Sequence, residues 1–365
     1  IGLLSVKQMA FMPSDGGMIK KTFIVFLSSI LFFVAGCTTD SYIDKKSSES
    51  EVANVTEATQ VTKSAEELLF NPSKEYGSLW ESDLFADDRF TLKIKLSDSE
   101  KREAKKLARS FESHMDRAKI FMHYLLTELE ARNLPAELAA VPLVESGFKV
   151  RARSYAGAHG PWQFMRRTGK SFGLKVTSHY DEFYDFVTST QASLSYLEHL
   201  YKELNQDWEL ALIGYNQGEF GVKKAIRAAK RNGVKNLSAE NLQLTRGART
   251  YLKRFRAYAA ILQEPEAFGV SHPEVDNRIA FKRVAIGDRV HSMSEAAKIA
   301  GVELDDLKHL NAGFLTDSLK SDSHRGLLIP SEHALQFEQA LGLVSGSPVG
   351  KAYTKVAEHK SHTNG

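Results

Sequence analysis

A single cysteine, Cys37, stands in the 365 residues, so the chain can close no internal disulfide and build no cysteine-based metal site. The apolar run from Phe23 to Ala35 falls short of the ~20 residues a bilayer-spanning helix needs. Charge of one sign is not in excess: the formal net charge is +3, too small to name a partner. Strand-like alternation is nearly absent between residues 100 and 263, which excludes a sheet-based fold for that stretch. Histidines such as His159, His179 and His199 lack ligand-type spacing, so neither a metal nor a cofactor is expected.

An apolar content of 42% over this length suffices for two domains and a sizeable core. The chain opens on Ile1, and residues 1–17 carry no periodicity, reading as an extension upstream of the true start. Met18, the Lys20-Lys21 pair and the apolar run then form a signal peptide over 18–36. VAGC at 34–37 resembles the lipobox of bacterial lipoproteins, which implies cleavage before Cys37 and lipid on its sulfur. Thr38 rather than Asp after it implies sorting to the periplasmic face of the outer membrane. Residues 37–65, rich in Ser, Thr, Glu and Lys, bury too little apolar surface to order themselves and read as a flexible tether.

The stretch from Leu134 to Met165 organises the rest of the chain. It predicts a short buried helix that opens at Pro135, where a missing N–H costs nothing, and stops at Gly147. Glu145 ends that helix behind Leu138, Ala139, Val141, Leu143 and Val144. An apolar setting disfavours the ionised carboxylate and raises its pKa, the state a general acid needs near neutral pH. A loop of small residues, SYAGAHG, then leads to Trp162 and Gln163, an aromatic and an amide of the kind that recognise sugars. A lone Glu at a helix end would more often face solvent, so its company has to carry the reading.

The spacing of Leu107, Phe111, Met115, Ala118, Met122, Leu125 and Leu129 predicts a long amphipathic helix. Further helices are expected over 188–204, 208–215 (capped by Asp207), 219–231 and 248–263. Between Lys223 and Arg256 stand eleven Lys or Arg and one acidic residue, Glu240. That stretch is either a solvated face or a surface for an acidic polymer; nucleic acid is not the expected partner of a secreted chain. After Pro265 the composition shifts. A strand over 281–286, helices over 292–300 and 304–310 and a strand over 327–329 make a small βααβ unit, which the connector at 267–279 suggests is separable.

ES at 145–146, G-x-WQF at 160–164, YNQG at 215–218 and Tyr251 on a later helix resemble the four motifs of lytic murein transglycosylases, most closely the membrane-bound D-type subfamily. The resemblance is close over residues 80–265 and looser to about 330. It implies a mainly α, goose-type lysozyme-like fold at 66–266. The βααβ unit at 280–340, with GD, IAGV, DLKHLN and LLIP, resembles a degenerate LysM module, with a disordered tail expected at 341–365. Such modules bind N-acetylglucosamine, but GDRV in place of GDTL leaves open a structural cap.

The resemblance also implies roles. Glu145 would protonate the bond between N-acetylmuramic acid and N-acetylglucosamine, then take the C6 hydroxyl proton as a 1,6-anhydro ring closes. Ser146, Trp162, Gln163, Tyr215, Asn216 and Tyr251 would bind substrate or tune the acid. The partners implied are peptidoglycan strands and, through Cys37, a membrane. Asp181, Glu182 and Asp185 are the rival second carboxylates, and capping and orienting their loop is the expected use of them. Departures exist: Gly214 stands where Ala is usual, and Gly247-Ala248 where Glu-Thr is usual. A hydrolytic muramidase and an inactive murein-binding lipoprotein therefore stay as alternatives.

Overall fold

The structure, a computed structural model, describes residues 76–320 and 322–344. The expected signal peptide, Cys37, the tether and most of the C-terminal tail lie outside these residues.

Helix α1, Asp98–Ala131, is the spine. It begins nine residues before its apolar stripe becomes legible at Leu107, because Ser97 and Glu100 form a reciprocal cap. The Ser97 hydroxyl accepts from the Glu100 N–H, and the Glu100 carboxylate accepts the Ser97 N–H at 2.8 Å. Its stripe, Leu107, Phe111, Met115, Ala118, Met122, Leu125 and Leu129, is buried as the spacing predicts. The expected helix from Pro135 to Gly147 is two pieces, a 3-10 turn over Ala136–Ala140 and helix α2, Val141–Glu145. Pro142 in the first turn of α2 has no N–H to donate, which suits the change of winding there. Every residue from Leu134 to Val144 is buried, the expected apolar positions Leu138, Ala139, Val141 and Leu143 among them.

A small hairpin, β1 (Ala158–His159) against β2 (Phe164–Met165), pairs Ala158 with Met165 and His159 with Phe164. Next come helices α3 (Arg166–Ser171), α4 (Phe186–Glu203), α5 (Trp208–Gln217), α6 (Glu219–Arg231) and α7 (Arg246–Gln263). Asp185, Asp207 and Thr245 cap α4, α5 and α7 with their side chains. Helix α7 lies along α1 and over the 3-10 turn, with Phe255, Ala257, Tyr258 and Ile261 buried in the shared core.

The C-terminal part is β3 (Phe281–Val284), α8 (Met293–Ala300), α9 (Leu304–Leu310), β4 (Leu327–Pro330) and α10 (Ser331–Ala340). β3 and β4 pair antiparallel, Phe281 opposite Pro330 and Val284 opposite Leu327. The βααβ order is as expected; α10 is an addition, and Leu341 behind it joins the same core, past the expected boundary at 340.

This part does not stand apart. Tyr180, from the loop between α3 and α4, is buried in its core against Phe314. Phe281, Leu310 and Leu328 in turn join the core of the larger helical part. The Asp181 N–H donates to Gly313 O at 2.8 Å, Glu182 pairs with Arg325 at 2.5 Å, and Asp185 pairs with Arg283 at 3.2 Å. The connector thus spans a docked interface built from buried carboxylates.

Candidate active site

Helix α2 delivers Glu145 to the floor of a cleft of about 560 Å³, lined also by Ala158, Gln163, Met165, Tyr196, Tyr215, Asn216, Tyr251 and Arg254. The chain leaves the helix at Gly147, where φ is +59° and a Cβ would come within 2.9 Å of the His114 ring. Both facts restrict the position to glycine. The turn aims the Glu145 side chain into the cleft rather than back into the core.

Glu145 is half-buried, open to the cleft on one side and walled by protein on the others. That burial pushes its pKa up to about 7, opposed by the Tyr251 hydrogen bond and the charge of Arg254. The Tyr251 hydroxyl donates to Oε1 at 2.8 Å, which leaves Oε2 to carry the exchangeable proton. Tyr251 is itself buried, and burial together with the Glu145 charge holds its own pKa well above the usual phenol value, so it stays a donor. Tyr215 donates its hydroxyl to Trp162 O at 2.8 Å and is likewise held protonated by burial.

Gln163 turns the corner of the hairpin with φ at +47°, an uncommon angle for a side-chain-bearing residue, and its Nε2 donates to Gly160 O at 2.8 Å. Gly160 permits the corner because a Cβ there would lie 1.8 Å from Phe183 O. One expected substrate contact is corrected. Trp162 is completely buried, its indole N–H donating to the Thr190 hydroxyl at 2.9 Å, so it shapes the cleft from behind and reaches no sugar. The Ser146 hydroxyl donates to Pro161 O at 2.8 Å and ties α2 to the hairpin loop. Glu145, Gln163, Tyr215, Asn216 and Tyr251 do come together in one cleft.

The rival carboxylates are elsewhere. Asp181 is bound by Arg166, Asp185 by Arg283 and the Tyr180 hydroxyl, and Glu182 by Arg325, none of them among the cleft-lining residues. Among the described residues lining the cleft, Glu145 is the sole carboxylate. A wider groove of about 650 Å³, between α1 and the C-terminal part, is lined by Asp116, Glu303, Asp306 and His309 but has no Glu–Tyr pair. The Glu145–Tyr251 pair sits in the smaller cavity.

Two residues escaped sequence reasoning. Glu137 is buried in the 3-10 turn and accepts the Thr91 and Leu92 N–H groups at 3.2 and 2.6 Å, pinning the segment before α1. Its position between Ala136 and Leu138 in an apolar run was the available signal. Arg254, one helical turn beyond Tyr251, was hidden in the basic stretch.

Comparison with known proteins bears directly on this geometry. The Transglycosylase SLT domain family matches residues 127–238, and the LysM-like domain of lytic transglycosylase MltD matches residues 276–346. Membrane-bound lytic murein transglycosylase D of Escherichia coli strain K12 is 31% identical over 339 residues, 92% of this chain and 73% of that protein. The chain belongs to the lytic murein transglycosylases. The same protein of Escherichia coli O6:H1 matches with the same identity and coverage. Among solved structures, the 70 kDa soluble lytic transglycosylase of Escherichia coli aligns with 36% of this chain and 22% of its own, at 22% identity and a TM-score of 0.29.

The family departures have physical readings. At Gly214 a Cβ would lie 2.7 Å from Leu204 Cδ1, so a large neighbour fills the space an Ala methyl would take. Gly247 is exposed in the first turn of α7, with nothing nearer to an added Cβ than Thr245 at 3.8 Å, and it is not among the cleft-lining residues. Thr245, the cap of that helix, donates its hydroxyl to the cleft residue Gln217 at 2.9 Å.

Proposed function

We propose that the chain is a peptidoglycan lytic transglycosylase that cleaves the β-1,4 bond between N-acetylmuramic acid and N-acetylglucosamine and leaves 1,6-anhydromuramyl ends. The observation that carries this reading is the Glu145–Tyr251 pair in a cleft whose lining offers no second carboxylate. A hydrolase of the usual kind needs two carboxyl groups flanking the bond. One acid with a pKa about 7 suits a sequence in which the same group gives and then takes a proton.

In the first step Oε2 of Glu145 gives its proton to the glycosidic oxygen as the C1–O bond breaks. The acetamido oxygen of the muramyl residue shares the positive charge that develops at C1. Tyr251, donating to Oε1, supports the carboxylate that remains. In the second step that carboxylate takes the proton from the C6 hydroxyl, whose oxygen bonds to C1. Glu145 returns to its starting form and no water is consumed. Gln163 and Asn216 offer amide groups at the cleft wall for the sugar acetamido groups.

Lipid on Cys37 and residence at the periplasmic face of the outer membrane complete the proposal, on the VAGC sequence and on the membrane-bound relatives. Among the described residues no helix is long and apolar enough to cross a membrane. We assign residues 66–266 to the transglycosylase domain and 280–340 to a LysM-like module. The deciding experiment is mass spectrometry of fragments released from purified sacculi. Anhydro ends, each lighter by one water than the reducing end, are expected; reducing ends would mean a muramidase, and no release would mean a binding protein.

A further inference from the structure

Two cations of the basic stretch are held in ion pairs. Lys223 bonds Glu203 at 2.5 Å and also Glu219, and Arg256 reaches Glu209 at 2.6 Å and Glu100 at 3.2 Å. Three others, gathered from distant parts of the chain, are different. Arg254 lines the cleft that holds Glu145 and is its sole cation among the described residues. Arg117, on α1, donates its Nε–H to Gly147 O at 2.9 Å, two residues from Glu145. Lys149 is exposed two residues beyond Gly147. None of the three has a carboxylate at ion-pair distance among the described residues.

The charge of Arg254 is felt by a neighbouring ring. His114 packs under Gly147 and shares a 3.2 Å hydrogen bond with the Tyr258 hydroxyl. Burial, with the charges of Arg117, Lys149 and Arg254, lowers its pKa to about 4, so the ring is neutral at pH 7 and adds no charge. Arg254 is half-buried, and the acid that feels its charge is Glu145 itself. An arginine in a cleft wall with no carboxylate at ion-pair distance attracts anionic ligands, and it matches a carboxylate in geometry as well as charge.

We propose that Arg254, in the wall of the cleft, is an anion shelf that binds the carboxylate carried on the muramyl side of the glycan. This rests on the peptidoglycan reading above and deepens it, naming the substrate feature the cleft selects. Two groups have that chemistry: a carboxylate of the attached peptide, or the lactyl carboxylate of a strand stripped of its peptides. Neutral N-acetylglucosamine oligomers have neither.

The test measures kcat and KM for the parent, Arg254→Gln and Arg254→Lys proteins on peptide-bearing strands and on strands stripped by an amidase. Binding of neutral chitotetraose is measured alongside in a Glu145→Gln background. Arg254→Gln is expected to raise KM about tenfold on the strands that engage the shelf, equivalent to about 1.4 kcal/mol. Arg254→Lys should recover part of this loss, and high salt should shrink the difference between the variants. Loss on peptide-bearing strands alone assigns the peptide carboxylate, and loss on stripped strands assigns the lactyl one. Chitotetraose affinity should not change. An equal loss of chitotetraose affinity, or an unchanged KM on both kinds of strand, overturns the shelf. If the parent releases no anhydro fragments from the same strands, the functional reading fails and the shelf with it; if it does and Arg254→Gln matches it, the shelf alone fails.

Discussion

Replacing Glu145 by Gln should remove activity and add stability, with the second effect confined to one side of a pH window. The carboxyl is raised from an ordinary 4.5 to about 7 in the folded protein, chiefly by burial. A raised acid pKa means that the native state holds its proton more tightly than the unfolded chain. Its contribution to stability is therefore full below pH 4.5 and is lost as pH rises through about 7. At 1.36 kcal/mol per unit, the loss on ionising this buried group is about 3 kcal/mol. Gln carries no such penalty and keeps an oxygen for the Tyr251 donor.

The difference in unfolding free energy between variant and parent should thus grow by about 3 kcal/mol between pH 4.5 and pH 8, with the variant gaining. Urea unfolding at four or five pH values reads it directly. Activity moves oppositely: the variant can neither protonate the glycosidic oxygen nor accept the C6 proton, and a loss of at least ~10²–10⁴ in rate is expected. A stability difference that is flat across the window would refute the raised carboxyl. An active Glu145→Gln protein would refute the single acid.

Two neighbouring residues give further expected outcomes. Tyr251→Phe removes a hydrogen bond that holds the Glu145 pKa down, so the alkaline limb of the kcat–pH profile should move to higher pH while kcat falls. An unmoved limb would mean the hydroxyl is not coupled to the acid. Gly247→Glu, restoring the side chain usual in the subfamily, should stabilise by about 1 kcal/mol, by removing a helical glycine and placing a negative charge in the first turn of α7. A thermal scan that shows no gain would indicate an unfavourable contact absent from this arrangement.

The legible parts of this molecule were those where one physical signal dominates. The α1 stripe, the caps at Asp207 and Ser292 and the α9 boundaries at Leu304 and Leu310 stem from periodicity and side-chain hydrogen bonding. Glu145 stood out by the motifs around it, not by apolar neighbours alone, since Glu137 in the same run is a structural acceptor. Trp162 misled because sequence does not say which side of a wall an aromatic faces. Its indole supports the hairpin from the core, while Gln163, one residue on, turns outward through a positive φ that no pattern of residue types announces. Arg254 and Arg256 look alike in the chain. A rotation of two residues around α7 puts one in the cleft and the other into an ion pair with Glu209.

The acidic loop at 181–185 shows how a burial argument can identify catalytic and structural carboxylates alike, and how partners separate them. Asp185 is almost wholly buried, yet it accepts from the Tyr180 hydroxyl at 2.6 Å, the Thr188 N–H at 3.1 Å and hydroxyl at 3.0 Å, and Arg283 at 3.2 Å. A carboxylate so fully engaged has no room to bring a nucleophile or a base to a sugar, and its partners include the start of α4 and a strand of the C-terminal part. Its work is to hold the two parts together. Asp185→Asn should therefore leave turnover on soluble glycan within about tenfold of the parent, while weakening charge-assisted bonds across that interface and lowering stability by about 2–3 kcal/mol. Urea unfolding and an assay of anhydro product, run on the same preparation, separate the two effects. A protein that unfolds like the parent but makes no product would place Asp185 in the reaction, and hydrolytic products would then be expected from the parent.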